Sequence, residues 1–295
     1  MTLTIAWVRE IGNVHELVFA SDSRLTGGGH VDQCQKVFAL PREDCCIAFA
    51  GSTMIAYPFI LQLGNAITQY QRSHDREVDI QNVKARVLSL LNFFIRSHEG
   101  FDKDDLENDL RETSFLFGGW SWGEARFFLW KISYRADLGR YIANRAGDAR
   151  PGRTTKGSVA AIGDHLPEFH AALRAQMADE IRVSEAFTRP LRFDFQPLAV
   201  LSKMLLQEKF TKRGGGHAGK IGGAPQVVAV YPFLRTRYFA VEWDIGEKFV
   251  YAIKGRIIAD FEHFSGPGLN PFTGEKTLPV RGRIDQDPGD SVAVY

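Results

Sequence analysis

The sequence predicts an α+β fold built in layers, and two observations support that prediction. Apolar residues recur at helical spacing in four stretches, residues 53–74, 79–98, 167–177 and 198–210. Short apolar, β-favouring runs stand before, between and after these helices. Because the helices come as an early pair and a late pair, we expect them to pack on sheets as separate layers.

Three early apolar runs predict the first strands. Residues 3–8 are largely apolar and β-favouring, and a turn at Gly12-Asn13 leads into a second strand over residues 16–24. A third strand, residues 45–50, passes through Gly51 into the first helix, which Ser52 or Thr53 is expected to cap.

The middle of the chain predicts a hairpin and a further buried strand. Residues 113–120 and 126–130 are two strands joined by a turn, and residues 158–163 form the next strand. Between the early helices and this hairpin, residues 102–112 are an acidic patch that we interpret as a solvated loop.

The last part of the chain predicts more strands and then loses its pattern. The late strands are expected at residues 225–231, 239–243, 249–253 and 256–261. After residue 266, prolines and glycines interrupt the alternation. We therefore predict one domain over residues 1–265 and an irregular C-terminal tail over residues 266–295.

Composition excludes several functional classes. The 295 residues are 44% hydrophobic and 12% aromatic, which is enough for a large core, and the net charge of +1 gives no indication of a nucleic-acid partner. Three cysteines provide neither a disulfide framework nor a metal-binding spacing. We expect no cofactor and no metal, no signal peptide and a cytoplasmic location.

One uncharged segment is long enough to cross a membrane. Residues 45–71 contain no charged side chain. Gly51, Pro58 and Gly64 interrupt the apolar run, however, so we predict a strand, a turn and an amphipathic helix there and no membrane association.

Threonine at position 2 is a candidate nucleophile. Removal of the initiator Met1 is expected before a small residue and would give Thr2 a free α-amine beside its own hydroxyl. An α-amine with a pKa near ~7.7–8.0 is partly unprotonated at neutral pH and can accept the hydroxyl proton during attack on a carbonyl. The alternative is that Thr2 is a frayed terminal residue.

Five short motifs follow one another near the start of the chain: Thr-x-Thr-Ile-Ala-Trp at 2–7, Ala-Ser-Asp-Ser-Arg at 20–24, Thr-Gly-Gly at 26–28, Gln-Lys-Val at 35–37 and Phe-Ala-Gly-Ser-Thr at 49–53. Together they resemble the proteasome β-type subunits and the bacterial proteasome-like peptidase that works with an ATP-driven unfoldase. Both are N-terminal-nucleophile (Ntn) hydrolases. The resemblance is dense over residues 2–63 and continues, more thinly, to about residue 230.

The resemblance implies a fold and a function. The fold is a four-layer αββα sandwich of two antiparallel sheets between helix layers. The function is that of a threonine-type endopeptidase in a homo-oligomeric ring, acting on peptides or unfolded proteins, with an ATP-dependent unfoldase as a possible partner. The segment 182–197 and the tail exceed the family pattern.

The resemblance also implies roles for particular residues. Thr2 is the nucleophile, Lys36 lies against it and Asp22 pairs with the lysine. Gly51, at the start of a helix, offers its N–H to a developing oxyanion. The alternative is that Lys36 and Asp22 are a solvated lysine and a turn acid. Arg24 is either a salt-bridge residue near the site or a surface arginine.

The sequence departs from the family pattern at the groups that orient the threonine amine. Asp164 stands where the family commonly has a serine, and Ala218 and Ile221 stand where it has an acid and a serine. Asp164 either binds the amine directly or caps a helix, and His217 is another candidate to assist. Two alternative functions therefore stay open, a non-catalytic structural or regulatory subunit and an Ntn amidase acting on a small amide.

Two further features of the sequence concern the active site. Residues 214–220 match Gly-x-x-x-x-Gly-Lys of a phosphate-binding loop, but Ile221 follows instead of a hydroxyl residue and a strand follows instead of a helix. We interpret them as a flexible loop near the mouth of the active site. Phe49 is a candidate to line a substrate pocket that prefers apolar side chains.

Overall fold

The computed structural model describes residues 2–12, 14–27, 29–100, 102–149, 159–186, 191–212, 219–233, 235–245, 248–259, 261–264 and 266–279. The strands are β1 (Leu3–Ile11), β2 (Val14–Ser21), β3 (Leu25–Thr26), β4 (His30–Val31), β5 (Val37–Ala39), β6 (Cys45–Ala50), β7 (Ser114–Ser121), β8 (Arg126–Arg135), β9 (Arg140–Ala149), β10 (Val159–Gly163), β11 (Gln226–Val230), β12 (Arg237–Ile245), β13 (Lys248–Ile253), β14 (Arg256–Ile257), β15 (Pro267–Leu269) and β16 (Lys276–Pro279). The helices are α1 (Thr53–Gln69), α2 (Gln71–His74), α3 (Ile80–Phe94), α4 (Lys103–Glu112), α5 (Leu166–Gln176), α6 (Ala178–Ala186), α7 (Gln196–Leu205) and α8 (Glu208–Thr211).

The described strands form two large sheets and a small ribbon. The first sheet has the order β10-β1-β2-β11-β12-β13-β14, with β15 and β16 attached beside β12. The second has the order β5-β6-β7-β8-β9, and all of its pairs are antiparallel. In the first sheet β15 runs parallel to β12, so that sheet is mixed and not purely antiparallel.

Three hydrophobic clusters explain how the helices and sheets pack. One cluster joins α1 and α3 to the second sheet, through residues such as Phe59, Leu91 and Phe117. Another joins α5 and α7 to the first sheet, and a third contains side chains of both sheets, among them Phe19 and Leu129. The alternation of side chains along each strand sends one set to a helix layer and the other set to the space between the sheets.

The uncharged stretch 45–71 contains β6 and the whole of α1, as predicted. Pro58 lies inside α1 without ending it. No helix in the described part of the chain combines the length and the apolar character needed to cross a bilayer.

The acidic patch is helical, and the prediction of a loop there was wrong. Asp102 accepts hydrogen bonds from the backbone N–H groups of Asp104 and Asp105 and so caps α4. Acidic residues in the first turn favour a helix N-terminus, and Leu110 buries the inner face. The acidic residues therefore favour this helix.

Several other elements were not predicted. Strand β9 carries polar residues at many positions, which hid its pairing with β8, and α6 begins the segment that exceeds the family pattern. Within the predicted irregular tail, β15 and β16 are regular strands. Pro267 is tolerated because it begins β15, where no inward N–H is required. Residues 280–295 lie outside the described residues.

Candidate active site

Strand pairing brings the first predicted site residues to one end of the first sheet. Thr4 pairs with Ser21 across β1 and β2, so Thr2 and Asp22 lie at the same end of this strand pair. Leu3 pairs with Gly163 at the end of β10, which brings Asp164 to the same end of the sheet. Each of these residues stands just beyond the end of a strand.

A buried lysine joins the hydroxyl of Thr2 to the carboxylate of Asp22. Lys36 Nζ lies 2.7 Å from Thr2 Oγ1 and 2.9 Å from Asp22 Oδ1. The side chains of Lys36 and Asp22 are 0% exposed, and Thr2 is 1% exposed. Burial lowers the pKa of Lys36, whereas the charge of Asp22 opposes that effect. A fully buried lysine with one counter-ion thus donates a hydrogen bond to the candidate nucleophile.

The backbone around Asp22 holds its carboxylate in place. Oδ1 also accepts from the Leu3 N–H at 3.1 Å, while Oδ2 accepts from the N–H groups of Arg24 at 3.1 Å and Gly222 at 3.2 Å. Four donors therefore surround one buried carboxylate, counting Lys36. This network fixes the position from which Asp22 orients the lysine.

The side chain of Gln226 links the backbone of Lys36 to the backbone of Asp22 by hydrogen bonds. Its Oε1 accepts from the N–H groups of Lys36 at 2.8 Å and Val37 at 3.1 Å. Its Nε2 donates to the carbonyl oxygens of Asp22 at 2.9 Å and Cys34 at 3.1 Å. This 1% exposed side chain holds the segments that carry Asp22 and Lys36 at a fixed separation.

Replacing Gln226 by leucine should lower the free energy of unfolding by at least about 3 kcal/mol, because two N–H groups and two carbonyls would be left buried without partners. Urea unfolding measures this loss. The exposed Gln62 on α1 provides the control, and Gln62→Leu should change stability by less than about 0.5 kcal/mol. Equal stability of the two variants would contradict the assigned role of Gln226.

Asp164 contacts the backbone nitrogen of Thr2. Oδ2 accepts from Thr2 N at 2.9 Å, and the Asp164 N–H donates to the Thr2 carbonyl at 2.6 Å. In this chain Met1 precedes Thr2, so the nitrogen is a backbone amide that stands in the position of the α-amine that Met1 removal would create. Gly163 makes this approach possible, since it has φ +100° and a Cβ there would lie 1.9 Å from the Thr2 oxygen.

Lys220 pairs with the other oxygen of Asp164. Its Nζ lies 2.7 Å from Oδ1, and its side chain is 44% exposed. Burial acts to raise the pKa of Asp164, but the hydrogen bonds from Lys220 and Thr2 N outweigh it and the net shift is downward. Asp164 is therefore ionised at neutral pH and partly neutralised by Lys220.

A cavity of about 570 Å³ opens beside these groups, and its lining includes Gly51, Gly163 and Asp164. Gly51 has φ +116°, and a Cβ there would lie 2.5 Å from the Thr113 Cα, so only glycine fits between β6 and α1. Within the described ranges, no residue accepts a hydrogen bond from the Gly51 N–H.

Comparison with solved structures gives distant similarities. The Anbu (Gly-1) mutant from Hyphomicrobium sp. strain MC1 is 15% identical, with a TM-score of 0.47, over 81% of this chain and 86% of that chain. Anbu (ancestral beta-subunit) from Yersinia bercovieri is 18% identical, with a TM-score of 0.48, over 80% of this chain and 86% of that chain. No protein-family model and no curated protein matches the sequence. At these identities and TM-scores the similarities do not assign the chain to a family.

The structure brings together the five residues that the sequence singled out. Thr2, Asp22 and Lys36 are in direct contact, Asp164 contacts Thr2, and Gly51 lines the cavity with Asp164. Ile221 is 0% exposed and packs in the core beside α7, so it orients nothing in the site. His217 and Ala218 lie outside the described residues.

Other expectations are refined or corrected. Arg24 is a buried structural residue, paired with Asp32 through two 2.6 Å hydrogen bonds. Phe49 is fully buried against Tyr57 and is absent from the cavity lining, so the expectation that it lines the pocket was wrong for this cavity. Sequence reasoning missed Lys220, although the Gly-Lys pattern drew attention to that loop.

Proposed function

We propose that this chain is a threonine-type endopeptidase of the proteasome-like Ntn class, in which Met1 removal exposes Thr2. The four-layer αββα sandwich is part of the proposal. The observation that supports it most strongly is the buried contact of Lys36 Nζ with both Thr2 Oγ1 and Asp22 Oδ1. Burial disfavours the charged form of a lysine, so a fully buried lysine needs a reason to be there. Contact with a candidate nucleophile supplies a catalytic reason.

The proposed reaction uses groups already in contact. The Thr2 α-amine accepts the hydroxyl proton, directly or through a water molecule, as Oγ1 attacks a peptide carbonyl in the cavity. Lys36 stabilises negative charge on Oγ1, and the Gly51 N–H stabilises the carbonyl oxygen. The amine then passes its proton to the leaving amine, and water hydrolyses the acyl ester on Thr2.

In this proposal Asp164 and Lys220 replace the amine-orienting groups that the family pattern would supply. Asp164 accepts a hydrogen bond from the amine and sets its direction. An ionised carboxylate so close would by itself favour the protonated amine and so weaken the base. The cation of Lys220 offsets that charge, and Lys36 and Asp22 are the other charged groups beside Thr2.

Replacing Lys220 by methionine should shift the acidic limb of the pH–rate profile upward by up to about one unit, because unscreened Asp164 raises the pKa of the amine. The profile is recorded as the rate of Thr2 modification by a peptide epoxyketone. Lys212→Met is the control, since Lys212 pairs with Glu208 and does not line the cavity. An unchanged limb would contradict the role of Lys220.

The remaining attributes come with the proposed class. They are a homo-oligomeric ring that encloses the sites, peptides or unfolded proteins as substrates, an ATP-dependent unfoldase as a partner and a cytoplasmic location. The described domain, which includes β15 and β16 of the predicted tail in its first sheet, would form the ring.

Hydrolysis of an unfolded protein tests the activity. The wild-type chain and Thr2→Ser should cleave unfolded casein, whereas Thr2→Ala should lose at least about 10³-fold in rate because it lacks the nucleophile. If none of the three cleaves casein or short peptides, a non-catalytic subunit is favoured. Cleavage of small amides alone would favour the amidase.

A further inference from the structure

The strand face that lines the cavity changes from apolar to polar as it leaves the core. On β8, Phe127 and Leu129 lie in the cluster between the sheets, and Lys131 and Ser133 continue the same face. Ser114 on β7 pairs directly with Ser133. Lys131, Ser133 and Ser114 all line the cavity. Two hydroxyls and an ammonium thus face inward, where side chains of the same strand are otherwise hydrophobic.

Lys131 differs from the other cations of the cavity. Arg111 pairs with Glu107, and Lys220 pairs with Asp164. Lys131 is half-buried and, among the residues that the structure describes, has no hydrogen-bond or ion-pair partner. A half-buried lysine without a counter-ion is available to pair with a negatively charged group of a ligand.

The cavity suits a ligand that carries a negative group. Its volume of about 570 Å³ falls within the usual range of ligand sites, about 300–1,000 Å³. Its lining contains three cations, Arg111, Lys131 and Lys220, against two acids, of which Asp164 is already paired and Glu112 is exposed at the rim. The interior charge that remains available is therefore the ammonium of Lys131.

We propose that Lys131, with the hydroxyls of Ser114 and Ser133, binds a carboxylate of the substrate. The inference rests on the proposed function, because Gly51, Gly163 and Asp164 line the same cavity beside Thr2. The carboxylate belongs to an acidic side chain near the cleaved bond or to the free C-terminus of a short peptide. The site therefore selects acidic substrates over neutral ones.

Binding to the Thr2→Ala variant tests this selectivity without chemistry. The probes are acetylated, amidated alanine peptides that carry either Glu or Gln at one position, moved stepwise along the chain, and an all-alanine peptide with a free C-terminal carboxylate. Titration calorimetry at low ionic strength should give at least one Glu peptide, or the free-acid peptide, about tenfold tighter binding than its neutral match.

The variant Lys131→Met, made on the same background, should lose that preference, and added salt should weaken it. Lys84→Met is the matched control. Lys84 lies on α3, is also half-buried and lies over Trp130, whose side chain is on the face of β8 opposite to that of Lys131. It should keep the full preference. A preference confined to the Glu peptides identifies a side chain as the source, and one confined to the free-acid peptide identifies the C-terminus.

Equal binding of acidic and neutral peptides, no binding of any peptide, or a preference that survives Lys131→Met would overturn the proposal. Failure of the proposed function is a separate result. It appears as absent Thr2-dependent cleavage by the wild-type chain, whether or not the calorimetric preference for a carboxylate is present.

Discussion

Replacing Lys36 by methionine should reduce Thr2-dependent cleavage by about 10³-fold or more. Methionine has a similar length, so it fills the buried space but cannot contact Thr2 Oγ1 with a cation or an N–H donor. Loss of a preorganised group that stabilises charge at the reacting oxygen has effects of this size. The rate of epoxyketone modification measures the loss with a single turnover.

Lys84→Met on α3 is the control for this experiment, and it should keep the wild-type rate because Lys84 contacts neither Thr2 nor the cavity. Circular dichroism confirms that both variants are folded before the rates are compared. A folded Lys36→Met variant that reacts at more than about a tenth of the wild-type rate would rule out the assigned role.

Replacing Asp22 by alanine should lower the free energy of unfolding by about 3–5 kcal/mol. The change leaves the buried Lys36 without its counter-ion and three backbone N–H groups without their acceptor. Combining it with Lys36→Met removes the orphaned cation. The double variant should therefore be more stable than the sum of the single losses predicts, by about 0.5–3 kcal/mol.

Urea unfolding of the four proteins in this double-mutant cycle measures the coupling. Asp22→Ala combined with Lys84→Met gives the reference, since these distant residues should be additive within about 0.5 kcal/mol. Additivity of Asp22→Ala and Lys36→Met would mean that the two side chains do not stabilise one another, and the network around Thr2 would need another explanation.

The proximity of Thr2 and Asp22 was predictable because both residues lie in short motifs at the ends of neighbouring strands. Thr2 immediately precedes β1 and Asp22 immediately follows β2, and a two-stranded antiparallel pair brings such positions together without any long-range information. The prediction that Lys36 contacts Thr2 required the family resemblance, because the local sequence around Lys36 does not indicate which strand end its side chain faces. Its complete burial emerged only from the structure.

The rest of the site depends on contacts that are distant in sequence. Lys220 and Asp164 are 56 residues apart, and Gln226 and Lys36 are 190 apart. A lysine in a glycine-rich loop and a glutamine at a strand start have ordinary local roles, so neither carried a signal of its own. The second strand of the hairpin was predicted only to residue 130, so Lys131 and Ser133 were missed, and the side that they face depends on the packing of the two sheets.

The missed elements have a similar cause. Helix α4 was hidden because charge suggested solvent, although the Asp102 cap and the Glu107–Arg111 pair favour a helix. Strand β15 was hidden because proline and glycine suggest irregular backbone, whereas its pairing to β12 is supplied by the tertiary structure. In both cases the position of the residues, at a helix N-terminus or beside an existing strand, determines the structure more than their composition does.

The intact mass of the chain after incubation with a peptide epoxyketone tests the central claim most directly. This reagent closes a ring on a residue that has both a free amine and a hydroxyl, so the adduct requires Thr2 to be the first residue. We predict one adduct on a chain that lacks Met1 and none on Thr2→Ala. A folded chain without Met1 that forms no adduct would contradict the account.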